Sequence, residues 1–542
     1  MSRPSAAHVR CADLLLVAVV AALCLYARQK LLVRLPCLDA DETGHALPAA
    51  RMALALASGN LHGFLEATWR EALWPFVHPW VVTPFFLGFG ISAAVARTVS
   101  LLALVAAATL LPPLTRRLAA ADGGAGAPAV PATAGWLAAA ALLGAPLWHF
   151  WCTAMSESLG MLVTVAALCL EADAAARPPR VRAGALCGFL GALAFLIKYS
   201  YGFPLIGALL LAQAVRVRGR GYRPLVGVLA GCAAPLAAWA LFMLGPDWTR
   251  ARFFIDVLIN RDEGLRGWEA LLFYPRVLVG WLGAPGAAVA FFGVAVTATV
   301  RASRGRALTA LLFVTLTLAQ LTAHANEQAR YLVPALPVLL ALGELGWLRF
   351  VAWPRRAALR SVGWAALAVA VAVARDPGGQ IREAAAADEP LRASRAILGF
   401  VAAAVPREGP LLLLGTTGRL PHFALTWELL EHEARERDVE LLQYPGERGW
   451  DPRFRAGYPA QMTAGFRPAL LDALDRGGYA AVVTFRWGPR SAFLPDWLAK
   501  WDAWGQNYVV LMQEQDRYLP VAERAFPDAD AMVRVYRPGG RR

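Results

Sequence analysis

The chain has 542 residues, 58% of them hydrophobic and 17% charged, with a formal net charge of +14 and a mean hydropathy of +0.46. Soluble proteins carry about 25% charged and 45–50% apolar residues, so the composition excludes an ordinary water-soluble enzyme. It gives no support to a nucleic-acid partner: residues 376–542 hold 21 basic and 22 acidic residues, and the positive excess lies in short loops between apolar runs, where it reports topology.

Apolar runs fall near 12–32, 91–114, 133–151, 157–172, 183–198, 202–215, 224–244, 277–300, 307–323, 331–350 and 361–375. Each matches a hydrocarbon core roughly 30 Å thick, which only helices and closed barrels can cross with their backbone satisfied. The runs predict a polytopic α-helical membrane protein with about eleven crossings over residues 1–375. No small-x-small cleavage site separates the first run from Arg28, Lys30 and Arg34, so the N-terminus reads as an uncleaved signal anchor. Alternate loops collect arginine: Arg116 and Arg117; Arg177, Arg180 and Arg182; Arg216, Arg218, Arg220 and Arg223; Arg301, Arg304 and Arg306; Arg349, Arg355, Arg356 and Arg360. That alternation places these loops and the N-terminus in the cytoplasm, with loop 33–90 and the C-terminal domain outside. Arg28, Lys30 and Arg34 run against it.

Within the first outer loop, Thr43 is a candidate cap for a helix from His45 to Ser58, closed by Gly59-Asn60. A second helix, His62 to Trp74, places Leu65, Trp69 and Leu73 on one face, the pattern of a helix lying at the interface. Pro79 to Gly90 is apolar but too short to cross. Beyond a linker at Asp376-Pro377-Gly378-Gly379, helix-like segments (389–404, 421–434, 467–476, 494–503) alternate with strand-like ones at Leu411–Leu414, Val439–Gln443, Tyr479–Phe485, Tyr508–Met512 and Val533–Tyr536. Residues 376–542 therefore read as a soluble α/β domain. Gly415-Thr416-Thr417-Gly418 follows a strand but lacks the phosphate-loop pattern and reads as a turn. None of the seven cysteines lies in this domain; they suggest neither a zinc site nor a disulfide framework.

Candidate chemistry gathers on the outer side. Asp39, Asp41 and Glu42 are three carboxylates in four residues, suited to a general base, to a divalent cation, or to a solvated helix start. Glu157 opens an apolar run after Ser156, either as a functional intramembrane carboxylate or as a helix start facing water. Lys198 and Arg330 border apolar runs on the same side. Together they suit a phosphate; singly, each is a snorkelling anchor. Arg97 lies inside the second crossing and requires a partner, for which an outer-loop acid is the obvious choice. His45, His78 and His324 are on the outer side, and none is spaced as a metal motif.

Asp41-Glu42-Thr43-Gly44-His45 after one membrane helix resembles the acidic first-loop motif of the GT-C glycosyltransferases. The resemblance continues through Gly59-Asn60, His78-Pro79, Phe89-Gly90, Arg97, Ser156-Glu157, Gly188-Phe189-Leu190-Gly191 with Lys198, and Arg330-Tyr331-Leu332-Val333-Pro334. It covers roughly 12–350 and is similar in order and spacing to bacterial protein O-mannosyltransferase-like and lipid A aminoarabinose transferase-like enzymes. Trp80 stands where that family usually has a second proline, and His45 where tyrosine is common. The resemblance implies a multi-pass enzyme of the plasma (inner) membrane. It would pass a sugar from a polyprenyl-phosphate donor to a hydroxyl of a glycan, lipid or protein acceptor outside the membrane, with inversion. It assigns Asp41 as general base, with Glu157 positioning the acceptor or sharing a divalent metal with Asp41. Glu42, His78, Arg97, Lys198, Arg330 and Tyr331 would contact substrate. A secondary transporter and a catalytically silent scaffold of the same fold are the rival readings.

Overall fold

The computed structural model describes residues 6–32, 38, 40–71, 75–120, 134–245, 268–299, 301–323, 328–352, 376–387 and 389–415, and then 420, 422–433, 439–441, 471–472, 474, 478–488, 490–493, 512, 515 and 517–539. Asp39, Arg34, His324, the apolar run 361–375, all but Met512 of the strand expected at Tyr508–Met512, the helix expected at 494–503 and Thr416 to Gly418 lie outside these residues. The chain forms two compact units, one of residues 1–32, 52–88 and 94–384, the other of residues 33–51, 89–93 and 385–542.

In chain order the helices are α1 (Ala6–Ala27), α2 (Ala40–Ala57), α3 (Leu61–Arg70), α4 (Val77–Phe89), α5 (Ala93–Ala119), α6 (Trp136–Gly144), α7 (Trp148–Trp151), α8 (Glu157–Ala175), α9 (Val181–Ile197), α10 (Tyr199–Arg220), α11 (Arg223–Met243), α12 (Trp268–Thr299), α13 (Arg301–Ala323), α14 (Leu336–Ala352), α15 (Pro377–Ala387), α16 (Ala393–Ala404) and α17 (His422–Glu433). Among the described residues six are long and apolar enough to cross a membrane: α5, α8, α10, α11, α12 and the Gly305–Ala323 part of α13. The run 133–151 is two helices rather than one. Ala145, which precedes a proline, is extended at φ −69° and ψ 147°, since the proline ring disfavours the helical region for its predecessor. Gly283 kinks α12 at φ 70°.

Three local expectations change. Helix α2 starts before Thr43, so Asp41 and Glu42 occupy its first turn, and Thr43 donates weakly to the Leu38 carbonyl at 3.5 Å. Helix α3 stops at Arg70 and is capped by Asn60, which accepts from the Gly63 amide at 2.8 Å. The segment at 376–379 is not a linker: Asp376 accepts from the amides of Gly378 at 3.0 Å and Gly379 at 2.8 Å. An acidic cap worth about 1 kcal/mol, followed by a proline in the first turn, starts α15.

The second unit carries a five-stranded sheet of order β2-β1-β3-β5-β4, with β1 (Leu411–Leu414), β2 (Val439–Leu441), β3 (Ala481–Trp487), β4 (Tyr518–Phe526) and β5 (Ala531–Pro538). Strands β2, β1 and β3 are parallel; β5 runs antiparallel to β3 and to β4. Leu411, Leu413, Val483, Phe485, Val533 and Val535 form the sheet's share of a core completed by Ile397, Leu398 and Val401 of α16 and Leu425 and Leu429 of α17. Strand β4 was not legible beforehand: it is an edge strand with a register shift between Pro520 and Ala522, and both proline and weak alternation are tolerated at an edge.

Candidate functional site

Glu157 is the first residue of α8 and is fully buried. Ser156 before it provides no side-chain cap, so the unpaired amides of the first turn leave a positive helix end that suits a carboxylate. Lys198 is a single extended residue, φ −160° and ψ 129°, between α9 and α10. Its amide closes α9 on the Ala194 carbonyl at 3.0 Å, and its carbonyl accepts from Tyr201 at 2.9 Å to start α10. From that break its buried Nζ donates to Glu157 Oε1 at 2.9 Å. Arg330, on a short 3-10 turn at Ala329–Leu332, brings Nε to 4.0 Å from the same oxygen.

Aromatic rings line the cations. Lys198 Nζ is 4.7 Å from the Tyr331 ring centre and 5.5 Å from that of Tyr201, and the Arg330 guanidinium carbon is 5.7 Å from the Tyr331 ring. These faces attract cations without neutralising them. Tyr201 reaches its place because residue 160 is glycine: a Cβ there would lie 2.4 Å from the tyrosine ring.

The segment entering α8 is braced from behind. The Met155 carbonyl accepts from Ser100 Oγ at 3.2 Å and from the buried His78 imidazole. Burial pushes the His78 pKa down to about 4, with Lys198 acting in the same direction and Glu157 and Met155 opposing. His78 is a neutral donor here.

Two cations thus converge on one oxygen of Glu157, an arrangement of donors that suits a phosphate oxygen. Among the described residues, no protein group completes a hydrogen bond to Glu157 Oε2. His78, Glu157, Lys198, Arg330 and Tyr331, singled out from sequence, thus come together. Glu157 does not face water, and neither Lys198 nor Arg330 is a lipid-facing anchor. Arg97 is buried on α5 and engaged within the protein. Asp41 and Glu42 belong to the other unit, Asp41 half-buried and Glu42 buried. Sequence reasoning missed Tyr201, Ser100 and Gly160. Only the first carried a signal, as an aromatic residue three positions after a lysine at a helix boundary. Among the described residues, no three His, Cys, Asp or Glu side chains come together as a metal-ligating group.

This fold is shared with several solved structures. It is similar to ArnT from Cupriavidus metallidurans bound to undecaprenyl phosphate, with a TM-score of 0.62 and 16% identity over 96% of this chain and 97% of that one. The same protein in the apo state matches at a TM-score of 0.61 and 18% identity, again over 96% and 97% of the two chains. The Archaeoglobus fulgidus oligosaccharyltransferase AglB, in complex with an inhibitory peptide and a dolichol-phosphate, matches at a TM-score of 0.53 and 13% identity, over 97% of this chain and 74% of that one. No family model matches the sequence, and no curated protein matches it.

Proposed function

We propose that the protein is a membrane glycosyltransferase that moves a sugar from a polyprenyl-phosphate donor to an acceptor hydroxyl on the extracytoplasmic side. The observation that carries this reading is the shared Glu157 carboxylate oxygen, 2.9 Å from Lys198 and 4.0 Å from Arg330. A buried lysine and a partly buried arginine that converge on one carboxylate oxygen form a ready cradle for a phosphate. Support comes from the fold shared with a protein bound to undecaprenyl phosphate and with one in complex with a dolichol-phosphate.

In this mechanism the hydroxyl attacks the anomeric carbon, the bond to the lipid phosphate breaks, and the centre inverts. Asp41 takes the acceptor proton. The leaving phosphate is already acidic and needs no proton. Lys198 and Arg330 stabilise its growing charge, and Tyr331 holds Lys198 by its ring face. Glu157 fixes the two cations and orients the acceptor, His78 braces the segment that carries Glu157, and Glu42 and Arg97 contact substrate. A divalent cation fits poorly beside Glu157, whose carboxylate already faces two positive charges, so no step is routed through a metal.

The test is single-turnover transfer from a purified lipid-linked sugar. Asp41→Asn removes the basicity while keeping size, and the rate should fall by about 10²–10⁴-fold, with donor binding near normal. A near-wild-type rate would remove Asp41 as the base. Wild-type protein inert toward every polyprenyl-phosphate sugar tried would instead favour the silent scaffold.

A further inference from the structure

Helices α9 and α11 run in the same direction and pack backbone to backbone. A Cβ on Gly188 would lie 2.2 Å from the Val228 carbonyl oxygen, and one on Gly231 would lie 2.0 Å from that of Ala185. Such small-residue contacts bring membrane helices together. On the outward side they leave a groove of about 670 Å³, floored by Ala185, Ala230 and Ala234 and walled by Leu186 and Phe189, with Arg182 at one end. Leu186 and Phe189 are exposed, and little of α11 is covered by protein.

The arginines near that end divide into two groups. Arg116 pairs with Asp13, Arg117 with Asp173 and Arg216 with Glu171, while Arg220 donates to the carbonyls of Ala174 and Arg177. Arg182 has no such partner among the described residues, and neither do Arg180 beside it or Arg223 on the first turn of α11. All three are exposed. A groove of hydrocarbon walls ending in unneutralised guanidinium groups matches an acyl chain attached to an anionic headgroup. A peptide would leave its backbone unsatisfied against those walls, and a free phosphate would leave them uncovered.

We infer that the α9–α11 groove binds one anionic phospholipid of the leaflet on the arginine side, its acyl chain along Ala185, Ala230 and Ala234 and its phosphate on Arg182. Arg180 and Arg223 add to the attraction at the leaflet surface. The site is separate from the pocket of the proposed donor. Glu157 begins α8 and Arg182 follows its far end, so roughly 25 Å of helix lies between them at 1.5 Å per residue. The inference rests on the chain spanning a membrane and not on the sugar-transfer reading.

Native mass spectrometry of the full chain tests it, with phosphatidylglycerol and phosphatidylcholine of equal chain length and with soluble glycerol phosphate as probes. Wild type should retain one phosphatidylglycerol with a preference of about five- to tenfold over phosphatidylcholine, as expected for an arginine at an anionic surface. Arg182→Gln should lose most of that preference while still holding lipid. Ala234→Trp fills the groove and should lose both lipids, with gel filtration checking that it stays folded. Should Ala234→Trp misfold, Ala230→Leu serves as the milder block. Unchanged selectivity in Arg182→Gln together with unchanged retention in the groove-filled variant would overturn the proposal. So would glycerol phosphate binding as strongly as the lipid.

Discussion

Glu157 and Glu171 sit on the same helix, both buried, and each meets a cation contributed by the α9–α10 hairpin. They differ in what is left over. Glu171 pairs with Arg216 and accepts from Gln213 at 3.3 Å, and the second guanidinium nitrogen of Arg216 donates to the Gly305 carbonyl at 2.6 Å. One charge meets one charge, and spare donors find acceptors. At Glu157 one carboxylate serves both Lys198 and Arg330, and among the described residues its second oxygen lacks a completed hydrogen bond. A closed network fastens α8, α10 and α13 to one another. At the other end of the helix two cations share one oxygen, which suits a second acceptor such as a phosphate, and burial makes both arrangements costly to disturb.

The comparison breaks most visibly at the closed network. Glu171→Ala leaves the partly buried Arg216 without its counter-charge and should lower stability by about 3 kcal/mol, measured by unfolding in detergent, while the folded fraction keeps its transfer rate. Replacing Glu171 and Arg216 together by methionine should restore much of that loss. A smaller effect of a different kind is expected at the open network. Lys198→Gln or Arg330→Gln should weaken donor use by about 1.5–3 kcal/mol, the worth of a charge-assisted hydrogen bond. Titration with the lipid-linked donor would read it, and loss of stability with unchanged donor affinity would make this pair merely structural too.

Gly160→Ala sharpens the contrast without touching a charge. The added methyl must displace the Tyr201 ring, so stability should fall by about 1–3 kcal/mol and donor affinity should fall with it. The last effect concerns His78 and is confined to acid pH. Its pKa is depressed from an ordinary value near 6.5 to about 4, so the unfolded chain takes up the proton before the folded one does. The stability tied to neutral His78 is complete above about pH 6.5 and is lost as the pH falls toward 4. His78→Gln, which keeps a donor for the Met155 carbonyl, should flatten that part of the melting-temperature profile. An unaltered acid limb would show that other groups produce it.

Much of the site could be read before the fold because its charges stand out against apolar sequence. Glu157, Lys198 and Arg330 attract notice by being ionisable at the edges of runs that otherwise avoid charge. Glu171 and Arg216 did not, since Glu171 falls at the last residues of a run and Arg216 is one of several arginines in a loop. Tyr201, Ser100 and Gly160 are ordinary residues in a membrane helix until a partner from another helix is known.

By itself the sequence determined the membrane class, the position of most helices and the α/β character of the C-terminal region, because hydrophobic runs and period-two strands are properties of consecutive residues. The tertiary structure decided which charges are buried and whom they face. It closed 41 residues between Glu157 and Lys198 and 173 between Glu157 and Arg330, and it turned the expected linker at 376–379 into a capped helix start. Burial and partnership are properties of packing, and a charge on a helix end has the same sequence signature whether it meets water or another charge.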